Sequence, residues 1–371
     1  MILMDVRIDN LYAFKNFHMN MSYPKKIINS PLGNETLSGY SNFRYKKVNI
    51  IFGANASGKT SLGRALQLIF NFIDSKKPNN LFLAVNDVNK ETFFSIDYVT
   101  FEHKLVRVSC IINPADAGPY SASKVRVAVA SEKIRTTDSY ESCMKRLEAR
   151  GYAFNMDYHE ELSKADCLSW LFQYPNLQVS NRINMASSKS EKYTTVLENV
   201  LKALDPTILR VDKSAEVKDA YIIRTKKKDI IIQPDGISDV NYLSSGTLAG
   251  IEIADVILSI MEDYNSFYYC DEKFSYIHSD IEQAILVVMI ESLHKDSQLF
   301  FTTHNTAIAD LTLPKHSFTF LSKDVSDDDM PIKCISASAL LKKNTDSIKH
   351  AMENDLFSTA PATDLILDLL K

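Results

Sequence analysis

The chain has 371 residues, of which 45% are hydrophobic and 24% charged, with a formal net charge of −4. That is enough chain to bury one large core or two modest ones, and the negative balance argues against a surface that gathers nucleic acid over its whole extent. Five scattered cysteines without a C-x-x-C argue against a disulfide framework or a zinc site. The opening MILMDVRIDN carries acidic residues where a signal peptide needs basic ones, and no apolar stretch approaches the roughly 20 residues of a membrane span. A cytoplasmic protein with no membrane partner is expected.

Residues 5–21 have a strand-like rhythm and read as two short strands. A polar excursion with Pro24, Pro31, Gly33 and Gly39 follows. Residues 47–52 are β-branched and aromatic, as a buried strand requires, and residues 60–73 show helical spacing at Leu62, Leu66, Ile69 and Ile73. Residues 92–100 and 105–112 form a predicted hairpin. Residues 113–204 read as an inserted, mostly helical subdomain, with helices at 139–150 and 192–204 and loops at 114–123 and 184–190. Strands resume at 207–211, 220–224 and 229–233. A helix at 246–261, a strand at 266–270, a helix at 281–293 and a strand at 298–302 complete the pattern. That alternation predicts an α/β fold of parallel strands covered by crossover helices. The core comprises residues 1–112 and 205–371, interrupted by the insertion.

The segment Gly53-Ala54-Asn55-Ala56-Ser57-Gly58-Lys59-Thr60 fits G-x-x-x-x-G-K-[ST]. Glycines let the backbone curl so that successive N–H groups point at phosphate oxygens, and the following helix presents its positive end to the same anion. Lys59 then reaches the β- and γ-phosphates, and the Thr60 hydroxyl reaches Mg²⁺. A strand before and a helix after supply the context this motif needs. Further on, the apolar run Phe267-Tyr268-Tyr269-Cys270 ends in Asp271-Glu272. An aspartate there can assist a metal and a glutamate can polarise water. The alternative is a strand-end carboxylate pair facing solvent. Another apolar run ends in Thr303-His304, within reach of a γ-phosphate if the two strands are neighbours. Ser244-Ser245-Gly246 opens a helix, either as a simple cap or as an anion cradle.

In this order the four motifs resemble the ABC-type ATPases, closely their RecF/SMC/OLD-like soluble branch, and small bacterial ATP-binding proteins of antiphage defence. GANASGKTSL resembles Walker A, LSSGT the signature, YYCDE Walker B, and FTTHN the switch histidine. The resemblance covers residues 1–112 and 207–361. It implies an ABC-like P-loop core, a mixed sheet with flanking helices, that hydrolyses ATP with Mg²⁺. Gly53, Asn55, Ala56, Ser57, Gly58, Lys59, Thr60 and Ser61 would hold phosphates, with Thr60 and Asp271 at the metal. Glu272 would activate water and His304 would sense the γ-phosphate. Ser244 and Gly246 would close on nucleotide held by another copy, making a homodimer or higher homo-oligomer, with residues 274–280 in the place of the D-loop. Ser245 and Thr247 depart from the transporter signature. The long coiled coils of SMC and Rad50 are missing, and the 67 residues after His304 (371 − 304) are too few for a Toprim nuclease.

The leading expectation is an ATP-driven switch controlling a separately encoded effector, such as a nuclease. The alternative is a RecF-like DNA-repair ATPase that touches nucleic acid directly; a transporter subunit ranks third. Two basic runs bear on this. Arg224-Thr225-Lys226-Lys227-Lys228 reads as a solvated hairpin tip more than a phosphate grip, and Arg44-Tyr45-Lys46-Lys47 as an exposed strand edge. Trp170, with Phe172 and Tyr174, is expected to pack the core of the insertion rather than stack on bases.

Overall fold

The N-terminal strand β1 (Ile2–Asp9) pairs antiparallel with β2 (Phe17–Asn20) on one side and β4 (Thr92–Val99) on the other. β5 (Lys104–Ile112) and β6 (Val125–Lys133) extend this sheet to the order β2-β1-β4-β5-β6. Side chains alternate between faces along a strand. Leu3, Val6 and Ile8 enter the main core, while Ile2 and Met4 join Phe43, Tyr45 and, from α3 (Tyr140–Ala149), Tyr140 and Leu147 in a smaller one. The register shift between Leu3 and Asp5 explains why the inward positions change from odd to even, because an extra residue flips the faces beyond it.

A computed structural model of the protein describes residues 1–27, 30–115, 120–166, 168–174, 190–233, 236–272, 274, 277–343, 346–359, 366 and 368–370. It divides into two compact units: Met1–Phe172 with Ser266–Tyr269 and Lys295–Lys371, and Gln173–Asn265 with Cys270–His294. Residues 184–189 of the predicted loop at 184–190 lie outside the described residues, as do position 273, positions 275 and 276 within the predicted D-loop, and positions 344–345 and 360–361 of the tail. Among the described residues no helix is long and apolar enough to cross a membrane.

In unit one β3 (Val48–Phe52) is buried throughout and central to a six-stranded sheet. Its order is β15 (Ile332–Ser336), β14 (Phe318–Lys323), β3, β13 (Gln298–Thr302), β12 (Phe267–Asp271), β7 (Trp170–Gln173). β13 and β14 flank β3 and run parallel to it, and β15 closes the edge antiparallel to β14. α1 (Lys59–Ser75) lies between the two sheets. Its Leu62, Leu66, Ile69, Phe70 and Ile73 share a core with Val6 and Phe94 of the first sheet and Ile51, Phe267 and Phe300 of the second. Burying these side chains contributes roughly 1.5–3 kcal/mol each, which holds the helix where β3 delivers it. The short helices α2 (Asn79–Phe82), α4 (Tyr158–Leu162), α8 (Ala337–Leu340) and α9 (Ile348–Glu353) fill the periphery.

Unit two has the antiparallel sheet β11 (Gly236–Ile237), β10 (Asp229–Gln233), β9 (Tyr221–Thr225), β8 (Ile208–Lys213). α5 (Tyr193–Leu204) packs on β8 and on α6 (Ser245–Met261), which in turn packs on α7 (Ser279–Ser292). A Cβ on Gly250 would stand 2.5 Å from Leu204 Cδ1 and 3.1 Å from Leu201 Cδ2, so α5 and α6 approach closely only with glycine there.

The described residues of the stretch 113–204, predicted as mostly helix, contain α3, α4 and α5 but also two strands. β6 pairs along its whole length with β5. β7 ends the six-stranded sheet, and its Trp170 and Phe172 pack on Phe70 and Phe267 of the main core rather than on a core of the insertion. The expected exposed edge at Lys46 and Lys47 is also corrected. Tyr45, Lys46 and Lys47 are buried beneath the polar excursion, whose Glu35 carbonyl accepts from the Tyr45 amide and whose Gly33 carbonyl accepts from Lys47 Nζ.

Candidate nucleotide-binding site

β3 ends at Phe52, and the phosphate-loop motif follows it directly into α1. Ala56 (φ 61°) and Gly58 (φ 103°) both adopt left-handed backbone. For alanine this conformation costs about 1–2 kcal/mol, a strain the flanking strand and helix impose. Gly53 permits the curl: a Cβ there would stand 2.3 Å from Ser57 Oγ and 2.5 Å from the Leu321 carbonyl oxygen. Gly58 serves as N-cap of α1 without any side-chain cap, and the helix's first turn holds no carboxylate. The helix N-terminus thus keeps its full positive character at the loop. Lys59 is buried, and its Nζ donates to the carbonyls of Gly53 (2.7 Å) and Ala54 (3.1 Å), so the cation lies across the loop itself. Thr60 and Ser61 are half-buried in the first turn, whereas Asn55 and Ala56 are exposed at the tip. Ser57 is buried, and its Oγ has no hydrogen-bond partner among the described residues. An orphaned buried hydroxyl beside a left-handed turn and a helix N-terminus fits a phosphate oxygen.

His304 follows β13, which neighbours β3 in parallel register, with Thr302 opposite Ile51 and the Thr303 amide donating to the Ile51 carbonyl at 3.2 Å. Loop and histidine therefore leave the carboxyl ends of adjacent parallel strands, the edge where open α/β sheets take their ligands. Thr303 is buried and His304 exposed.

Unit two carries the remaining predicted residues. Asp271 ends β12 and is fully buried. Glu272 is half-buried and left-handed at φ 40°, a conformation that costs a non-glycine residue about 1–2 kcal/mol and turns the chain sharply after the strand. Burial, with the Asp271 charge adding to it, pushes the neighbouring Cys270 thiol up to about 12, so it stays protonated and inert. Ser244 is the N-cap of α6, its Oγ accepting from the Thr247 amide at 3.0 Å. Ser244 is exposed and Gly246 half-buried.

No family model and no curated protein sequence matches the chain. Solved structures do. The Smc head bound to the C-winged helix domain of ScpA aligns with a TM-score of 0.53 at 12% identity, covering 92% of this chain and 100% of that one. The Smc head domain with an extended coiled coil, bound to the C-terminal domain of ScpA and derived from Pyrococcus furiosus, aligns with a TM-score of 0.52 at 11% identity, covering 97% and 100%. The fold is that of an SMC head.

Within this SMC-head fold, two residues that the motifs did not reveal support the loop. Tyr269 on β12 donates its hydroxyl to the Lys59 carbonyl at 2.7 Å. Gly63 lets that ring approach, since a Cβ there would stand 2.6 Å from Tyr269 Cε1. An isolated glycine within a helical pattern was the available signal. The basic hairpin of unit two is compensated at its two ends, while Lys226 and Lys227 at the tip are exposed. Arg224 bonds Asp212 and Asp229, and Lys228 bonds Asp239 at 2.8 Å, its Nζ 5.0 Å from the Tyr242 ring centre.

Proposed function

We propose that this chain binds and hydrolyses ATP, and that ATP drives two copies together as a switch. The observation that carries this reading is Lys59 laid across a left-handed loop at the end of β3, with His304 at the end of the adjacent parallel strand. Gly53, Asn55, Ala56, Ser57, Gly58, Lys59, Thr60 and Ser61 would bind the phosphates through backbone N–H groups, hydroxyls and one cation. The Thr60 hydroxyl and Asp271 would hold Mg²⁺, which when bound neutralises phosphate charge. Glu272 would accept a proton from the attacking water, and His304 would hydrogen-bond the γ-phosphate. Ser244 and Gly246, at the exposed start of α6, would complete the site of a second copy, because a helix N-terminus is suited to a phosphate presented from outside.

What the switch controls is, on this reading, a separately encoded effector of the antiphage-defence kind. One fact supports a protein partner: both aligned Smc heads are bound to parts of ScpA. Titration of a fluorescent ATP analogue tests the nucleotide reading. Lys59→Ala should weaken binding by tenfold or more, the scale of a lost charge-assisted hydrogen bond. A Lys59→Ala chain that binds as tightly as the parent would remove the loop from the mechanism.

A further inference from the structure

Unit one has a lysine-lined cavity away from the phosphate loop. About 610 Å³ in volume, it opens between the excursion after β2, the residues that lead into β14, and α8. β14 runs parallel to β3 with Phe318 opposite Ile50. The residues before Phe318 therefore lie at the end of the sheet where β3 enters, whereas the phosphate loop follows its exit. The cavity is a different site from the one around Lys59.

Among the described residues four lysines line it, Lys25, Lys26, Lys315 and Lys342, and no carboxylate does. In a chain of net charge −4, that is a local concentration of positive charge. Lys25 and Lys26 are exposed. Lys342 Nζ donates to the Ser338 carbonyl at 3.2 Å, a neutral acceptor that leaves its charge uncompensated. Lys315 is bonded to the Lys343 carbonyl, with the Asp346 carboxylate 3.9 Å away, so it contributes least. The wall also contains a buried polar side chain. His316 is 4% exposed, its Nε2 is bonded to Glu35, and the Tyr23 ring lies 4.2 Å from it, centre to centre. These contacts fix the imidazole as a rigid floor. Leu313, Leu341 and Ile27 supply apolar wall.

We propose that this cavity binds a multiply phosphorylated small molecule. Its phosphates lie on Lys25, Lys26 and Lys342, and its organic part rests against Leu313 and Leu341. The volume falls in the range of small-molecule pockets, about 300–1,000 Å³. Flexible ammonium groups suit phosphate as point charges, with no need for the planar fork that selects carboxylates.

The test uses the full chain with Lys59→Ala, which disables the phosphate loop, and pyrophosphate as the probe in a calorimetric titration. This variant should bind pyrophosphate one to one. Adding Lys25→Ala, Lys26→Ala and Lys342→Ala should weaken that binding by about tenfold or more, with an unchanged melting temperature. With Lys59 intact, the triple variant should keep its ATP affinity, which separates this proposal from the nucleotide reading. The proposal is overturned if the Lys59→Ala chain binds no pyrophosphate, or if the three further substitutions leave its affinity unchanged. It is equally overturned if the three lysines govern binding of a single-stranded 20-mer oligonucleotide while pyrophosphate is ignored.

Discussion

Replacing Gly63 with alanine sets two effects of opposite sign against each other. In a helix interior the change stabilises by about 0.8–1.0 kcal/mol, because alanine has less backbone freedom to lose. Here the new methyl would stand 2.6 Å from Tyr269 Cε1 and 3.0 Å from Cδ1 and Cζ. The ring has little freedom to withdraw. It stacks on Phe172 with centres 5.5 Å apart, meets Phe300 at 6.0 Å, and is tied through its hydroxyl to the Lys59 carbonyl. Overpacking of this kind costs about 1–3 kcal/mol, so Gly63→Ala should destabilise the protein by about 1 kcal/mol net. In a Tyr269→Leu background the clash is gone and the same substitution should stabilise by about 1 kcal/mol, a coupling of about 2 kcal/mol. A Tyr269→Phe background keeps the ring and should keep the loss. Urea denaturation of the four chains of the cycle, followed by fluorescence, measures the coupling. If Gly63→Ala has the same sign and size with Tyr269 and with Leu at that position, the tight contact is not what makes glycine necessary.

Glu272→Gln should retain ATP while hydrolysis slows by about 10²-fold; phosphate release at near-parental rate would exclude Glu272 as the base. Neither Lys59→Ala nor Ser244→Arg chains should hydrolyse ATP alone, yet a mixture should recover activity, since one heterodimer site then joins an intact loop to an intact α6 start. A mixture as inactive as its components would argue for self-contained sites. Asp97→Ala removes two 2.7 Å bonds from the buried Arg107, which keeps the 3.0 Å bond from its Nη1 to the half-exposed Glu148; a loss of about 3 kcal/mol, the lower end for breaking a buried pair, is expected in denaturant titration. Hydrogen bonding to Lys333 holds the Asp324 carboxyl down at about 2. Its contribution is therefore present above the unfolded value near 3.9 and lost as pH falls from about 4 towards 2. Protection of the β14 and β15 amides, taken relative to the intrinsic exchange rate at each pH, should fall over that interval in the parent but not in Asp324→Asn.

The phosphate loop was legible because its constraints are local: a β-branched strand, glycines at fixed offsets and a 3.6-residue apolar rhythm. Strand, loop and helix all stand where residues 47–73 placed them. In β6 the alternation of Val125, Val127 and Val129 is blurred by Ala128 and Ala130 and ends in the polar Ser131-Glu132-Lys133, and its long pairing with β5 is a tertiary fact. β14 and β15 were missed for another reason. Phe318-Thr319-Phe320-Leu321 is short, and nothing in Ile332–Ser336 shows that this strand seals an edge. The burial of Lys46 and Lys47 depends on an excursion loop folding back over them, which no local pattern records. The lysine-lined cavity was invisible in principle, since its walls come from residues 23–31, 312–316 and 338–342. Tyr269 stood in plain view within YYCDE, but its grip on the helix needs the register of β12 against α1.

The interleaving of the two units determines the order in which synthesis can finish them. The N-terminal residues belong to unit one, yet that unit still needs Lys295–Lys371, including both β13 and β14 beside β3. Unit two is complete at His294. A ribosome releasing this chain therefore frees the later-starting unit first, while β3, apolar except for Asn49, waits for its parallel neighbours. During that interval the unpaired strand is open to mispairing. A stop codon between residues 295 and 317 would leave unit two with all its residues and β3 permanently without β14.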